Sequence, residues 1–416
     1  MVTQMTAIPR RLAGWLADRE ALPTAGRAAL GYYAETGVFE RESLELKRLV
    51  DRRMDAMIAD AFDPVEDALA EAFDAESVEF SYDTKLTLPA ELTLGQLYRT
   101  ARERAVDGND PVTLSVWADG TLDADLDDAD AVGPIRFREP ITTAEWEAGP
   151  ETPQELVDRS EYLTRLVVAA LVDGDMRDAI NDAEYEDFGV SVDLEPGDRK
   201  RVAEIAQETL QSELEAAFER LPGEIREIYD WAVELSERHQ DRDPHFRELL
   251  ADAQAGDQDA GERIRKEYRD APIEDLDAEI DLFDRVEELP YLKTQYARVG
   301  VIYDGMIEMY RRAGLPVEEA FKRSIVLAII GAQIWLDDVD DFEADRAEGQ
   351  LTPVTAEYVL VNDEDEAYDR IVAVSERYLD LASEFAAETD SPLAGIAAEY
   401  IRYSGDPSVL PGHRTA

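Results

Sequence analysis

The chain has 416 residues and 95 acidic against 42 basic side chains, a formal charge of −53, and 45 % hydrophobic content typical of a packed protein rather than an acidic tail. So negative a surface repels phosphate backbones and anionic bilayers, which bind through Lys and Arg that displace counterions, so nucleic acid and membrane surfaces are set aside as partners. Cysteine is absent and histidine occurs three times, which excludes disulfides and thiolate nucleophiles and leaves almost no zinc constellation or Ser-His-Asp triad to assemble.

The first 75 residues read as helical, with apolar positions at helical spacing in Arg11 to Leu16 and again from Leu44 through Ala61. From Ser77 the rhythm changes. Val78-Glu79-Phe80-Ser81-Tyr82 alternates at period two, Leu94 to Ala105 reads as a helix, and Val112 to Trp117 followed by Asp119-Gly120 reads as a strand and turn. Ile135 to Arg138 adds a further expected strand. After Pro150 the chain reads as helix upon helix. Thr152-Pro153-Gln154-Glu155 offers an N-cap, a proline at the first helical position and a capping-box glutamate. Further helices are expected over about 200–220, 224–239, 244–255, 261–270 and 280–288.

The resulting expectation is a mainly α protein. It has an N-terminal helical segment (1–76), a small α+β unit (77–148) and a C-terminal α-helical bundle (149–416). The longest apolar run, Ile325 to Leu336, is interrupted by Gln333 and is far short of the ~20 residues a spanning helix needs. No N-terminal stretch has the pattern of a secretory signal. A cytoplasmic protein with no stable membrane insertion is therefore expected.

Residues 290–353 stand apart. A helix from Tyr291 to Arg312 is expected to end at Gly314, and Pro316 to open the next at Val317. That second helix carries Ile325 to Leu336, apolar on nearly every side, so it must be surrounded by protein. It runs directly into Asp337-Asp338-Val339-Asp340-Asp341-Phe342-Glu343-Ala344-Asp345-Arg346 and stops at Gly349. Asp337, Asp341 and Asp345 are four residues apart, so on a regular helix each lies about 40° from the last and all three share one stripe. Carboxylates so close raise one another's pKa unless a cation sits between them. Mg²⁺ is the natural guest, because it takes hard oxygen ligands and prefers one or two carboxylates plus a substrate phosphate to an all-protein cage.

In so acidic a chain, acid-acid-x-x-acid is expected about five times from composition alone. What singles this one out is its place at the end of the most hydrophobic helix, and that strict Asp-Asp-x-x-Asp occurs only here. Among the nearby cations, Lys322 and Arg323 lie on the motif helix, Arg346 directly follows the stripe, and Arg311-Arg312 close the preceding helix, where the macrodipole favours arginine anyway. Tyr291, Tyr296, Tyr303 and Tyr310 recur at near-helical spacing, a pattern that most often marks a packing stripe. The acidic run Asp123 to Asp130 reads as a solvated linker, because a calcium loop would need Gly where Asp128 stands and Glu where Pro134 stands.

The run Gly331-Ala332-Gln333-Ile334-Trp335-Leu336-Asp337-Asp338-Val339-Asp340-Asp341, with Asp345-Arg346, Gly349 and Leu351-Thr352-Pro353, resembles the second aspartate-rich motif of the class I isoprenoid synthases, the superfamily of polyprenyl diphosphate and squalene-phytoene synthases. The resemblance spans about residues 291–353. It implies an all-α bundle in which Mg²⁺ bridges aspartates to a prenyl diphosphate that ionises to an allylic cation. On that basis Asp337, Asp341 and Arg346 are the expected catalytic residues. Lys322, Arg323 and Gln333 are expected to bind substrate, and Asp337, Asp338, Asp341 and Asp345 to bind metal. The superfamily also needs a second acidic stripe. The best positional candidate is Asp175, Asp178 and Asp182 after the apolar Leu166 to Val172, with Asp178 and Asp182 the expected metal ligands. Asn362-Asp363 with Glu366 is similar to a fragment of a terpene-cyclase metal motif, but Arg370 fills its third ligand position. Only six of the 42 basic residues are lysine, a composition that resembles that of salt-adapted archaeal proteins.

The expected activity is therefore of prenyltransferase or terpene-synthase type. The alternative is a helical relative that has lost one aspartate motif and serves as a binding or interaction protein. A metal-dependent phosphohydrolase is disfavoured by the scarcity of His. A homodimer stays open.

Overall fold

A computed structural model describes residues 23–36, 41–82, 87–108, 148–182, 188–192, 197–273, 289–361, 363–389 and 391–414, with isolated positions between them. The protein is mainly α, and the described residues contain only two short strands. The chain forms two compact units. One comprises residues 1–40, 230–305 and 318–416, and the other residues 41–229 and 306–317.

The second of these holds α1 (Arg41–Ala72), β1 (Phe80–Tyr82), α2 (Leu88–Gly108), α3 (Pro153–Asp182), β2 (Phe188–Val190) and α4 (Asp198–Phe218). Helix α3 starts as its sequence dictates, with the Thr152 hydroxyl accepting from the Glu155 amide at 3.1 Å. The Glu155 carboxylate reaches back one residue further than a capping box requires, to the Glu151 amide at 2.8 Å. Strand β1, expected from its alternation, pairs antiparallel with β2, Phe80 opposite Val190 and Tyr82 opposite Phe188. The inward face of the pair is aromatic: Phe80 lies 5.2 Å edge-on to Phe62 and 5.8 Å from Phe188 in a stack. A buried polar triad ties α1, α2 and α3 together. Arg53 pairs with Glu161 at 3.2 Å, and the Tyr98 hydroxyl donates to the same carboxylate at 2.6 Å. The expected strands at 112–117 and 135–138, the acidic run 123–130 and the expected helix at 280–288 lie outside the described residues.

The other unit contains α5 (Gly223–Gln240) from residue 230 on, α6 (Asp243–Gln254) and α7 (Gln258–Ile264), which continues as a π-helical turn over Arg265–Arg269. Next come a short helix, Leu292–Gln295, a second π-turn, Tyr296–Gly300, and α8 (Val301–Arg312) up to residue 305. Its centre is α9 (Glu319–Ala332), buried on all sides from Phe321 to Gly331. The expected start at Val317 is two residues early. Leu315 to Val317 forms a tight turn with the Val317 amide bonded to the Leu315 carbonyl at 2.9 Å, and Glu318, in extended conformation, is the N-cap. Helix α9 packs on α10 (Glu364–Glu388) and α11 (Pro392–Ser404). Gly331 permits the first contact, because a Cβ there would sit 3.0 Å from the Leu379 side chain. Gly300 does the same for the π-turn, whose backbone approaches Ile330 to 3.1 Å of an added Cβ. The tyrosine stripe is core in each unit: Tyr291 and Tyr296 are fully buried and hydrogen-bonded to Glu357 and Asp304, and Tyr310 to Thr164.

Candidate functional site

Helix α9 does not carry its aspartates straight out of the core. At Gln333–Asp337 it widens into a third π-turn, makes a short turn over Asp338–Asp340, breaks at Asp341 and resumes as a helix at Phe342–Glu348. Gly349, at φ 72°, ends that helix in the left-handed conformation that glycine adopts freely, and Thr352 caps the following helix at Pro353. One extra residue in a turn rotates the succeeding face by about 100°. The result departs from a regular stripe. Asp338, off the stripe, is 1 % exposed, Asp345 is half-buried, and Asp337 and Asp341 face solvent.

Asp345 nevertheless remains within electrostatic reach of Asp337, Asp338 and Asp341, and Asp338 of Asp337. Arg298, from the π-turn at Tyr296–Gly300, enters among them and donates from Nη1 to Asp338 Oδ1 at 3.1 Å. Gln333 Nε2 donates to Asp337 and also approaches Asp338 Oδ1 at 3.5 Å. Thr352 hydrogen-bonds Asp345. The second oxygen of Asp338 is buried with no hydrogen-bond partner. Burial pushes the Asp338 carboxyl up to about 7 against the pull of Arg298, and Asp337 and Asp345 add to the rise. Asp345 rises to about 6, again chiefly by burial opposed by Arg298 and reinforced by Asp341 and Asp337. Burial works against the charge of Arg298, but Asp338 holds it protonated, and 37 % of its side chain stays accessible. Beside it, His239 is driven down to about 4 by burial and by the positive charges of Arg298 and Arg242, so it is neutral at pH 7.

These carboxyls make a sign prediction. A folded-state pKa raised above the unfolded value means the native state binds more protons, so stability falls as pH rises from about 4 through about 7. Asp338→Asn is expected to remove most of that slope, a difference of roughly 2–4 kcal/mol at ~1.4 kcal/mol per unit. Urea unfolding of both proteins at several pH values in molar KCl measures it, and parallel profiles would show that Asp338 titrates normally.

The sequence-expected residues divide into three groups. Asp337, Asp338, Asp341, Asp345 and Gln333 come together, and Arg346 is exposed immediately after Asp345. Lys322 and Arg323 do not join them. They precede Asp337 by 15 and 14 residues, about 22 Å of helix, and both are buried. Lys322 pairs with Asp304 at 2.9 Å, while Arg323 lies 3.5 Å from Glu319 and 5.7 Å from the centre of the Phe385 ring. Asp178 and Asp182 belong to α3 in the other unit, and their side chains lie outside the described residues. Asp363 is a helix N-cap, its carboxylate accepting from the Asp365 and Glu366 amides, and Arg370 pairs with Glu366 and Glu357. Arg311 and Arg312 pair with Glu308.

The oxygen donors suit a hard divalent ion. Among the described residues, however, no three carboxylate or imidazole groups converge tightly enough to hold one by themselves. Arg298 has no signal in the sequence, since its approach to Asp338 depends on two π-turns that spacing does not reveal. No known family, curated protein or solved structure matches the chain.

Proposed function

We propose that the protein is a Mg²⁺-dependent enzyme of class I isoprenoid-synthase type acting on a prenyl diphosphate. The observation that carries the reading is the gathering of Asp337, Asp338 and Asp345 near the Arg298 guanidinium, with Asp341 within reach of Asp345, beyond the end of a buried helix. This leaves an excess of negative charge that a divalent cation would neutralise. Asp337 and Asp341, the two exposed members, are the candidate ligands, with water and diphosphate oxygens completing the shell, as Mg²⁺ prefers. Bound there, Mg²⁺ supplies Lewis-acid stabilisation of the departing diphosphate. Asp338 is occupied in orienting Arg298, and Gln333 holds Asp337 in place. Arg298 and Arg346 are the cations available to the leaving group, because Lys322 and Arg323 are engaged in the core.

The test is the double variant Asp337→Asn, Asp341→Asn. Calorimetric titration with Mg²⁺ or Mn²⁺ in KCl is expected to show millimolar or tighter binding to the native chain and at least a tenfold loss in the variant. Turnover of geranylgeranyl or farnesyl diphosphate is expected to fall to background. Unchanged binding or turnover would remove the assignment. A second reading, a helical binding protein without catalysis, draws on the loss of Lys322 and Arg323 to structural roles. It predicts cation binding with no turnover of any prenyl diphosphate.

A further inference from the structure

In the unit formed by 41–229 and 306–317, three helices leave an open cleft of about 320 Å³. Helix α1 contributes Asp60, Ala61 and Pro64, helix α3 contributes Tyr162, Arg165, Leu166 and Ala169, and α4 with the residues after it contributes Leu210 to Arg220. Four alanines, Ala61, Ala169, Ala216 and Ala217, line it, and the buried Leu166, Leu210 and Leu214 form its floor. A size of ~300 Å³ or more, with apolar walls and a few placed polar groups, is the profile of a small-molecule site.

The polar groups are sorted along its length. Helices α3 and α4 run antiparallel, since Gln207 bonds Asp173 at 3.2 Å while Arg220 lies beside Tyr162. Arg165, Arg220 and Tyr162 line the same cleft, both guanidiniums within electrostatic reach of the phenol, and Trp146 backs the Tyr162 ring at 5.7 Å. Glu213 precedes Arg220 by seven residues, about 10 Å along the helix. Asp60 is at the same level, because α1 also runs antiparallel to α4: Ala72 accepts from Arg201, and Asp60 to Pro64 share the cleft with 210–217. Arg220 thus stands at one end of the cleft, Glu213 and Asp60 lie toward the other, and Arg165 falls between them. Pro64 adds an acceptor at the acidic end, since lacking an N–H it cannot bond the Asp60 carbonyl one turn back.

We infer that this cleft binds a small linear amphiphile with a single anionic head, the head seated between Arg165 and Arg220 against Tyr162 and the chain lying over Leu166, Ala169 and Leu214. The acidic far end gives the site its selectivity. It rejects a second anion and tolerates an apolar or cationic tail. In a chain of charge −53, a pair of arginines is also the local exception that lets an anion approach.

The probes are octanoate, octyl phosphate, 1-octanol, the α,ω-diacid suberate and 8-aminooctanoate, titrated calorimetrically into the full chain. Molar KCl screens the overall field to a few ångströms. Octanoate or octyl phosphate is expected to bind at least tenfold more tightly than octanol and than suberate, with 8-aminooctanoate binding no worse than octanoate. Whether the carboxylate or the phosphate binds better distinguishes a fatty acid from a phosphorylated chain. Ala217→Leu, on the half-buried rim, is expected to weaken binding at least tenfold by filling the cleft. Arg220→Gln, on the surface, should erase the preference for octanoate over octanol with an unchanged thermal melt. Equal binding of suberate and octanoate, equal binding of octanol, or full binding by folded Ala217→Leu would each overturn the inference.

Discussion

Lys322→Met is expected to destabilise the unit built on α9 by about 3–5 kcal/mol, the cost of removing one partner from a buried ion pair. Methionine keeps much of the stem volume and removes the charge. Asp304, 5 % exposed, would then keep the Tyr296 hydroxyl, which donates to its carboxylate at 2.5 Å, but no countercharge from Lys322. The double variant Lys322→Met, Asp304→Asn is expected to regain most of the loss, because it leaves no uncompensated charge. Urea midpoints in molar KCl measure both. The result also bears on function. If Lys322 held a diphosphate, its loss would spare stability and lower affinity for Mg²⁺-diphosphate. The structure predicts the opposite pattern, with Mg²⁺ affinity unchanged in the refolded double variant, since the aspartates lie about 22 Å away along the helix.

Gly405→Ala is expected to be the second costly change. Gly405 has an ordinary backbone conformation, φ −71°, so alanine meets no strain there. Its Cβ would instead fall 2.1 Å from Trp335 Nε1, a contact that no adjustment of a methyl relieves. Trp335 sits in the π-turn that delivers Asp337, and its indole N–H donates to the Arg402 carbonyl at 3.3 Å. Overpacking of this kind costs about 1–3 kcal/mol. Here it also has a place to propagate, because a displaced indole moves the turn that separates Asp337 from Asp338. Trp335 fluorescence and Mn²⁺ titration read the two effects, and an unshifted emission maximum with native stability would show that the ring has room.

The helices were legible because each carries its own evidence. The cap at Thr152, the glycine stop at Gly349 and the apolar run before Asp337 act within a few residues of where they stand. What was not legible depends on distant segments. Strand β2 is only three residues long, and its partner lies more than a hundred residues upstream. The site divides the same way. The gathering of acids at 337–345 follows from spacing alone, whereas the inward turn of Asp338 follows from one extra residue in a helical turn. Composition does not encode that, and it made Asp338 the buried member although the regular stripe runs through its neighbours. The placement of the basic residues was illegible for a related reason. Lys322 and Arg323 share the motif's helix in sequence, but fourteen or fifteen residues separate them from Asp337, and both are engaged with Asp304 and Glu319 in the core.

The ion pairs at Lys322 and Arg298 have a mechanical consequence. Arg298 with Asp338 and Lys322 with Asp304 join the same two stretches of chain, residues 298–304 and 322–338, one near the start of α9 and the other past the π-turn that follows it. Hydrophobic contact between Ile330 and Gly300 is non-directional and would tolerate sliding by a residue or more. Charges fixed at both ends do not, since any slip opens one pair in a medium that returns little solvation. Register is thereby pinned by electrostatics that salt screens far less than a surface pair, above all at Lys322 with Asp304, where both members are buried.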